Sequence, residues 1–114
     1  MPDLLLLEDD AALADGLQYS LARSGFAVTP ARTLAQARAC LATGRFDLLI
    51  LDVTLPDGTG FALCEELRRR GSRVPILFLT ASDEEVSVIR GLDSGGADYL
   101  TKPFRLGELC TRPR

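Results

Sequence analysis

The amino-acid sequence predicts an α/β domain built on a doubly wound sheet of five parallel strands. Three observations predict it. Short apolar runs recur along the chain, the segments between them carry helical periodicity, and each run stops at a polar or turn-forming residue. Short runs bounded by turn signals read as strands buried on both faces. Strands alternating with helices of about 10–15 residues imply parallel, right-handed βαβ units.

The elements follow in order. The first strand, Leu4–Leu7, ends in Glu8-Asp9-Asp10. The first helix carries Leu13, Leu17 and Leu21 inward at i, i+4 and i+8 and stops at Gly25. The second strand is Ala27–Thr29. The second helix opens on a capping box, Thr33 to Gln36, buries Leu34, Ala37 and Leu41, and closes at Gly44. The third strand, Leu48–Leu51, delivers Asp52 and then meets the turn Pro56-Asp57-Gly58. The third helix runs from about Phe61 to Arg70 and buries Phe61, Cys64 and Leu67. Arg68-Arg69-Arg70 complement its C-terminal dipole before Gly71. The fourth strand, Ile76–Leu79, ends in Thr80. A second capping box, Ser82 to Glu85, opens a fourth helix carrying Val86, Val88, Ile89 and Leu92. The fifth strand, Tyr99–Thr101, runs into Lys102-Pro103. A fifth helix starting near Leu106 runs little more than one turn before Pro113, which cannot continue a helix interior. The pattern matches the flavodoxin-like strand order 2-1-3-4-5 with helices on both faces.

Bulk properties bound the function. A chain of 114 residues suits one domain, and 46% hydrophobic with 25% charged residues is ordinary for a soluble globule. A net charge of −3 and a pI of about 4.9 make this stretch a poor nucleic-acid binder. No apolar run approaches the ~20 residues of a membrane span. Acids at Asp3 and Glu8 argue against a signal peptide, so a cytoplasmic location is expected. Cys40, Cys64 and Cys110 have no metal-ligand spacing and no histidine beside them. Cys40 and Cys64 read as small apolar fillers on helices in a reducing cytosol.

Chemistry concentrates at the strand ends. In a doubly wound sheet, ligands bind beyond the carboxyl ends of the strands, where the strand order reverses. Glu8, Asp9 and Asp52 should converge there. Three acids in one pocket repel each other unless a divalent cation holds them, and hard oxygen donors suit Mg²⁺. Asp10 or Asp9 also supplies the N-cap of the first helix. Asp52 as a nucleophile would form an aspartyl phosphate. Taken alone, it would read as a turn-capping residue before a proline loop. Thr80 offers a hydroxyl to a phosphoryl oxygen, although a lone threonine ending a strand is usually structural. Lys102 offers a point positive charge.

Four stretches together resemble the receiver domain of two-component response regulators. They are Leu6–Asp10, Leu49–Gly60, Pro75–Ala81 and Asp98–Phe104. The resemblance covers essentially all of residues 1–114. It implies a phosphorylation-activated switch in which a sensor histidine kinase is the partner and Asp52 the phosphoacceptor. It implies that Asp9, Asp52 and the backbone carbonyl of Thr54 ligate Mg²⁺, with Glu8 acting through water. Thr80 and Lys102 would hold phosphoryl oxygens. Thr80 and Tyr99 would then move, reshaping the face of the fourth helix, fifth strand and fifth helix. Such a domain is no turnover enzyme, although it catalyses its own phosphoryl transfer and slow dephosphorylation.

The stretch Tyr99–Phe104, with Glu108-Leu109, is similar to the subfamily whose receiver precedes a winged-helix DNA-binding domain. An output domain beyond residue 114 is therefore expected, with DNA reached only through it. That subfamily dimerises through the same face by charge pairs, one of them matched by Asp98 and Arg112. Ala97 replaces an interface acid, Val88 stands where a basic partner for Glu108 is common, and Pro113 interrupts the fifth helix. Only a weak homodimer is expected. A stand-alone receiver, acting as a protein-binding switch or phosphorelay carrier, is the alternative. A haloacid-dehalogenase type of phosphatase would need a second Asp where Thr54 stands. A receiver that has lost phosphorylation conflicts with the presence of every pocket residue.

Overall fold

A computed structural model describes residues 1–81, 83–91 and 97–101. In chain order the elements are β1 (Asp3–Leu7), α1 (Ala11–Arg23), β2 (Ala27–Ala31), α2 (Leu34–Thr43) and β3 (Leu48–Asp52). A small hairpin follows, β4 (Thr54–Leu55) and β5 (Gly58–Thr59), then α3 (Gly60–Arg69), β6 (Ile76–Thr80), α4 (Asp83–Gly91) and β7 (Ala97–Thr101). The main sheet has five parallel strands in the order β2-β1-β3-β6-β7. Once the hairpin is set aside, this is the expected flavodoxin-like 2-1-3-4-5. Lys102, Cys110, the fifth helix, Glu108, Arg112 and Pro113 lie outside the described residues, as do Ser82 and Leu92.

Alternation along the central strands sorts the core onto two faces. Leu5, Leu7, Leu49, Leu51, Ile76 and Phe78 point to one side and pack with Leu34 and Ala37 of α2, Leu63, Cys64 and Leu67 of α3, and Ile89 of α4. Leu4, Leu6, Leu48, Ile50, Leu77 and Leu79 point to the other and pack with Leu17 and Leu21 of α1. Because both faces are covered, β1, β3 and β6 read as unbroken apolar runs. β2 is an edge strand and extends beyond the expected Ala27–Thr29 to Ala31; Pro30 is exposed and fits there because an edge strand need not donate on its outer side.

The helix limits follow local chemistry. Asp10 caps α1 by accepting the Leu13 N–H at 3.1 Å. At the other end Gly25, at φ +100°, donates to the Ala22 carbonyl, and Phe26 donates to the Leu21 carbonyl. This is a Schellman closure, with Phe26 and Leu21 in the same apolar cluster. Thr33 caps α2 by accepting the Gln36 N–H at 3.1 Å, but the Gln36 side chain reaches back to the Arg32 N–H, one residue before the cap. Glu85 does the same for the Ala81 N–H at 2.7 Å.

Some inward faces differ from expectation. Leu13 and Leu41 are only half-buried, while Ala14 is buried in α1. In α3, Leu63 takes the deep position, and Phe61 is half-buried with its ring edge-on to Phe78 at 5.2 Å. On α4, Val86 and Ile89 are buried but Val88 is 46% exposed. Cys40 and Cys64, on α2 and α3, form no disulfide and sit in the first core cluster, the place of apolar fillers. Among the described residues, no helix is long and apolar enough to cross a membrane.

Candidate functional site

The strand order reverses between β1 and β3, so the segments leaving these two neighbours turn to opposite sides of the sheet and open a crevice. Leu7 pairs with Leu51, which sets Glu8 beside Asp52. One carboxylate oxygen from each of Glu8, Asp9 and Asp52 lies within 4.8 Å of the others. Glu8 is 1% exposed, Asp52 is 7% exposed, and Asp9 faces solvent. The Glu8 N–H donates to the Ala31 carbonyl and its side chain accepts the Asp10 N–H at 3.1 Å, so β2 and the α1 cap both fix it. Asp10 is thus taken by the helix cap, and the other acids converge.

Asp52 closes β3 at the register of Leu79, which places Thr80 one step further along the adjacent strand. Thr80 is fully buried, and its Oγ1 has no hydrogen-bond partner among the described residues. A buried hydroxyl without a partner is costly, and a ligand oxygen in the crevice would relieve it. The Val53 N–H donates to Asp52 Oδ1 at 3.0 Å. Gly60 packs so closely that a Cβ there would run into the Asp52 backbone carbonyl, and its N–H donates to Val53 O at 2.8 Å. Thr54 is exposed and pairs with Thr59 across the hairpin. Tyr99 lies beside Phe78 on β7, half-buried against the first core cluster. Lys102 lies outside the described residues.

The donor set fits a hard divalent cation. It offers carboxylate oxygens from three residues close enough to repel one another, beside a hydroxyl with no hydrogen-bond partner among the described residues. The clearest cavity elsewhere, of ≈500 Å³, is lined by Leu41, Arg45, Phe46, Arg70 and Val74 among others. It lies at the amino ends of β3 and β6 and holds none of these groups.

The sequence reading missed two features. The β4–β5 hairpin was read only as a turn. Asp57 at its tip accepts the Leu34 N–H at 2.9 Å and the Ala35 N–H at 3.1 Å, from the first turn of α2. The Leu34 amide above all holds the Asp57 carboxyl below its ordinary value of 3.8, with desolvation opposing it and the Ala35 amide adding to it. The only signal in the sequence was an acid in a Pro-Asp-Gly turn, which gives no hint of a partner so far away.

Fold and crevice together define a doubly wound domain with an acidic, cation-ready pocket at its switch point. The chain belongs to the response regulator receiver domain family, whose profile matches residues 4–114. It is 42% identical over 111 residues to the transcriptional regulatory protein PmrA of Pectobacterium parmentieri, a match covering 97% of this chain and 50% of that protein. The chain therefore spans about half the length of the curated relatives it matches. Among solved structures, a Francisella response-regulator receiver domain superposes with a TM-score of 0.89 at 32% identity, over 99% of this chain and 93% of that one. The response regulator TrrA of Thermotoga maritima, solved in complex with Mg²⁺-BeF, superposes with a TM-score of 0.84 at 26% identity, covering 96% and 93%. Receiver domains act in two-component signalling, where sensor histidine kinases phosphorylate them, and they bind Mg²⁺ at an acidic pocket.

Proposed function

We propose that this chain is a phosphorylation-activated switch whose phosphoacceptor is Asp52. The observation that carries the reading is the convergence of Glu8, Asp9 and Asp52 within 4.8 Å at the switch point. A carboxylate oxygen of Asp52 attacks the phosphorus of a kinase phosphohistidine. The new P–O bond forms as the P–N bond breaks, and the imidazole leaves. Asp9, Asp52 and the Thr54 carbonyl would hold Mg²⁺ directly, and Glu8 would act through a water. The bound cation supplies the positive charge that lets an anionic nucleophile meet an anionic phosphoryl group. The Thr80 hydroxyl donates to a phosphoryl oxygen, and Lys102 adds a fixed positive charge. The chain turns over no external substrate; it catalyses only its own phosphoryl transfer and slow dephosphorylation.

A new dianion at Asp52 biases a two-state element. Thr80 moves toward the phosphoryl group and Tyr99 turns further inward, which reshapes the face formed by α4 and β7. The relative named as a transcriptional regulatory protein supports a transcriptional output, through a DNA-binding domain outside residues 1–114. A cytoplasmic location fits that role.

Acetyl phosphate with Mg²⁺ tests the chemistry. Wild type should gain the mass of one phosphoryl group, stable in acid and labile in base, and Asp52→Asn should gain none. Full labelling of Asp52→Asn under the same conditions would remove Asp52 from the role.

A further inference from the structure

The β4–β5 hairpin links two places. One end emerges from Asp52 and carries Thr54. The other end, its tip, sits on α2. Asp57 gives both carboxylate oxygens to backbone amides there, Oδ1 to Leu34 and Oδ2 to Ala35. Thr33 already caps α2 through the Gln36 N–H, so Asp57 adds a tie between elements distant in sequence. Gly58 reinforces it. Its φ of +147° is a left-handed-side conformation that side chains rarely adopt, and a Cβ there would meet Leu34 Cδ1 at 2.7 Å. The hairpin tip therefore rests directly on the first buried residue of α2.

The hairpin is short enough to transmit that restraint. Leu55 pairs with Gly58 and Thr54 with Thr59, so one ladder step separates the tip from Thr54. At its base, Gly60 is packed against the Asp52 carbonyl and bonded to Val53 O. With its base packed on Asp52 and its tip clasped to α2, the two-step ladder that carries Thr54 is restrained at both ends. The two amides favour the charged Asp57 carboxylate, and charge-assisted bonds are the stronger kind.

We infer that Asp57 is a positioning residue for the phosphoryl-transfer site, clasping the Thr54-bearing hairpin to α2 so that the Thr54 carbonyl is held toward the cation. The inference rests on the receiver reading above and deepens it. Linkage makes it reciprocal: a cation that favours the ordered hairpin must also tighten the clasp on α2.

A second tie provides the control. Arg38 on α2 pairs with Glu66 on α3 at 3.1 Å. The charge of Arg38 also acts on Asp57, so this tie is broken from the Glu66 side, which leaves that charge in place. Titration calorimetry with MgCl₂ on wild type, Asp57→Ala, Asp57→Asn and Glu66→Gln tests the difference. Asp57→Ala should weaken Mg²⁺ binding by about tenfold, the low end for groups that orient metal ligands. Asp57→Asn keeps one acceptor oxygen and should fall between it and wild type. Glu66→Gln should bind Mg²⁺ as wild type does. Acetyl phosphate labelling of Asp57→Ala should slow at limiting Mg²⁺ and recover at saturating Mg²⁺. A loss of stability alone would not give that split.

Equal Mg²⁺ affinity of wild type and a folded Asp57→Ala overturns the inference, and so does an equal loss in Glu66→Gln. Should Asp57→Ala not fold, amide exchange in wild type decides. Saturating Mg²⁺ should slow exchange of the Leu34 and Ala35 amides, and exchange indifferent to Mg²⁺ overturns the clasp. Wild type that neither binds Mg²⁺ nor labels would instead overturn the receiver reading itself.

Discussion

Glu8, Asp9 and Asp52 share one pocket but differ in what surrounds them. Glu8 is sealed between β2 and the α1 cap, Asp52 is nearly covered, and Asp9 faces solvent. Asp9 is therefore the acid that can be changed with least disturbance to the core. Asp9→Asn removes one of three mutually repelling charges. Without metal its melting temperature should equal or exceed that of wild type, while Mg²⁺ should raise it much less. Calorimetric melts with and without Mg²⁺ check this, and equal Mg²⁺ stabilisation of both proteins would exclude Asp9 as a ligand. Thr80 calls for the opposite kind of substitution. Its buried hydroxyl has no partner among the described residues. Thr80→Val keeps the shape and should gain about 1 kcal/mol in urea denaturation. The same variant should label more slowly with acetyl phosphate, because the donor to the phosphoryl oxygen is gone. A variant both less stable and equally reactive would make Thr80 a structural residue.

At the scale of elements, each helix is held by partners of a different reach. α1 ends by purely local chemistry, the Schellman closure at Gly25. α2 is held at its start by Asp57 and along its length by Arg38–Glu66, so its position depends on the β3–α3 unit. The Asp57 tie should also be sensitive to acid. The Leu34 and Ala35 amides hold its pKa below 3.8 in the folded protein. Its stabilisation is therefore present above the unfolded value and is lost as pH falls through the lower folded value. The stability difference between wild type and Asp57→Asn should be constant near neutrality and should shrink as pH falls below the ordinary value of 3.8. Denaturant midpoints across that range measure it, and a difference independent of pH would mean that the carboxylate charge plays no part.

For the molecule as a whole, the proposed dianion at Asp52 would have to act on a partner through the sheet. β7 and α4 lie at the far side of the sheet from β2, and β6 connects them to Thr80. The described part of this face exposes Val88 and Asp98 and half-buries Tyr99. Surface ion pairs contribute only about 0–1 kcal/mol each, and Val88 and Ala97 stand where the related subfamily places charged residues. The 114-residue chain should therefore be monomeric at low micromolar concentration without phosphate. A beryllofluoride mimic should shift it only partly toward a dimer. Sedimentation velocity tests this, and a tight dimer before phosphorylation would show that the missing charges are immaterial.

By itself the sequence determined what depends on neighbours a few residues apart. The runs Leu4–Leu7, Leu48–Leu51 and Ile76–Leu79 are strands because only a sheet covered on both faces needs unbroken apolar segments. Gly25 and Thr33 mark helix ends because their chemistry acts within one turn. The acids at the ends of β1 and β3 could be placed together because parallel topology forces those ends to one side. The tertiary structure alone decided the rest. Burial of Leu63 deeper than Phe61, half-exposure of Leu41, sealing of Glu8 beneath the Asp10 amide, and the grip of Asp57 on α2 all depend on which surfaces meet. Periodicity reports which face of an element is apolar, but not how closely the next element covers it. A Pro-Asp-Gly turn looks the same whether its carboxylate meets water or the first amides of a helix more than twenty residues away.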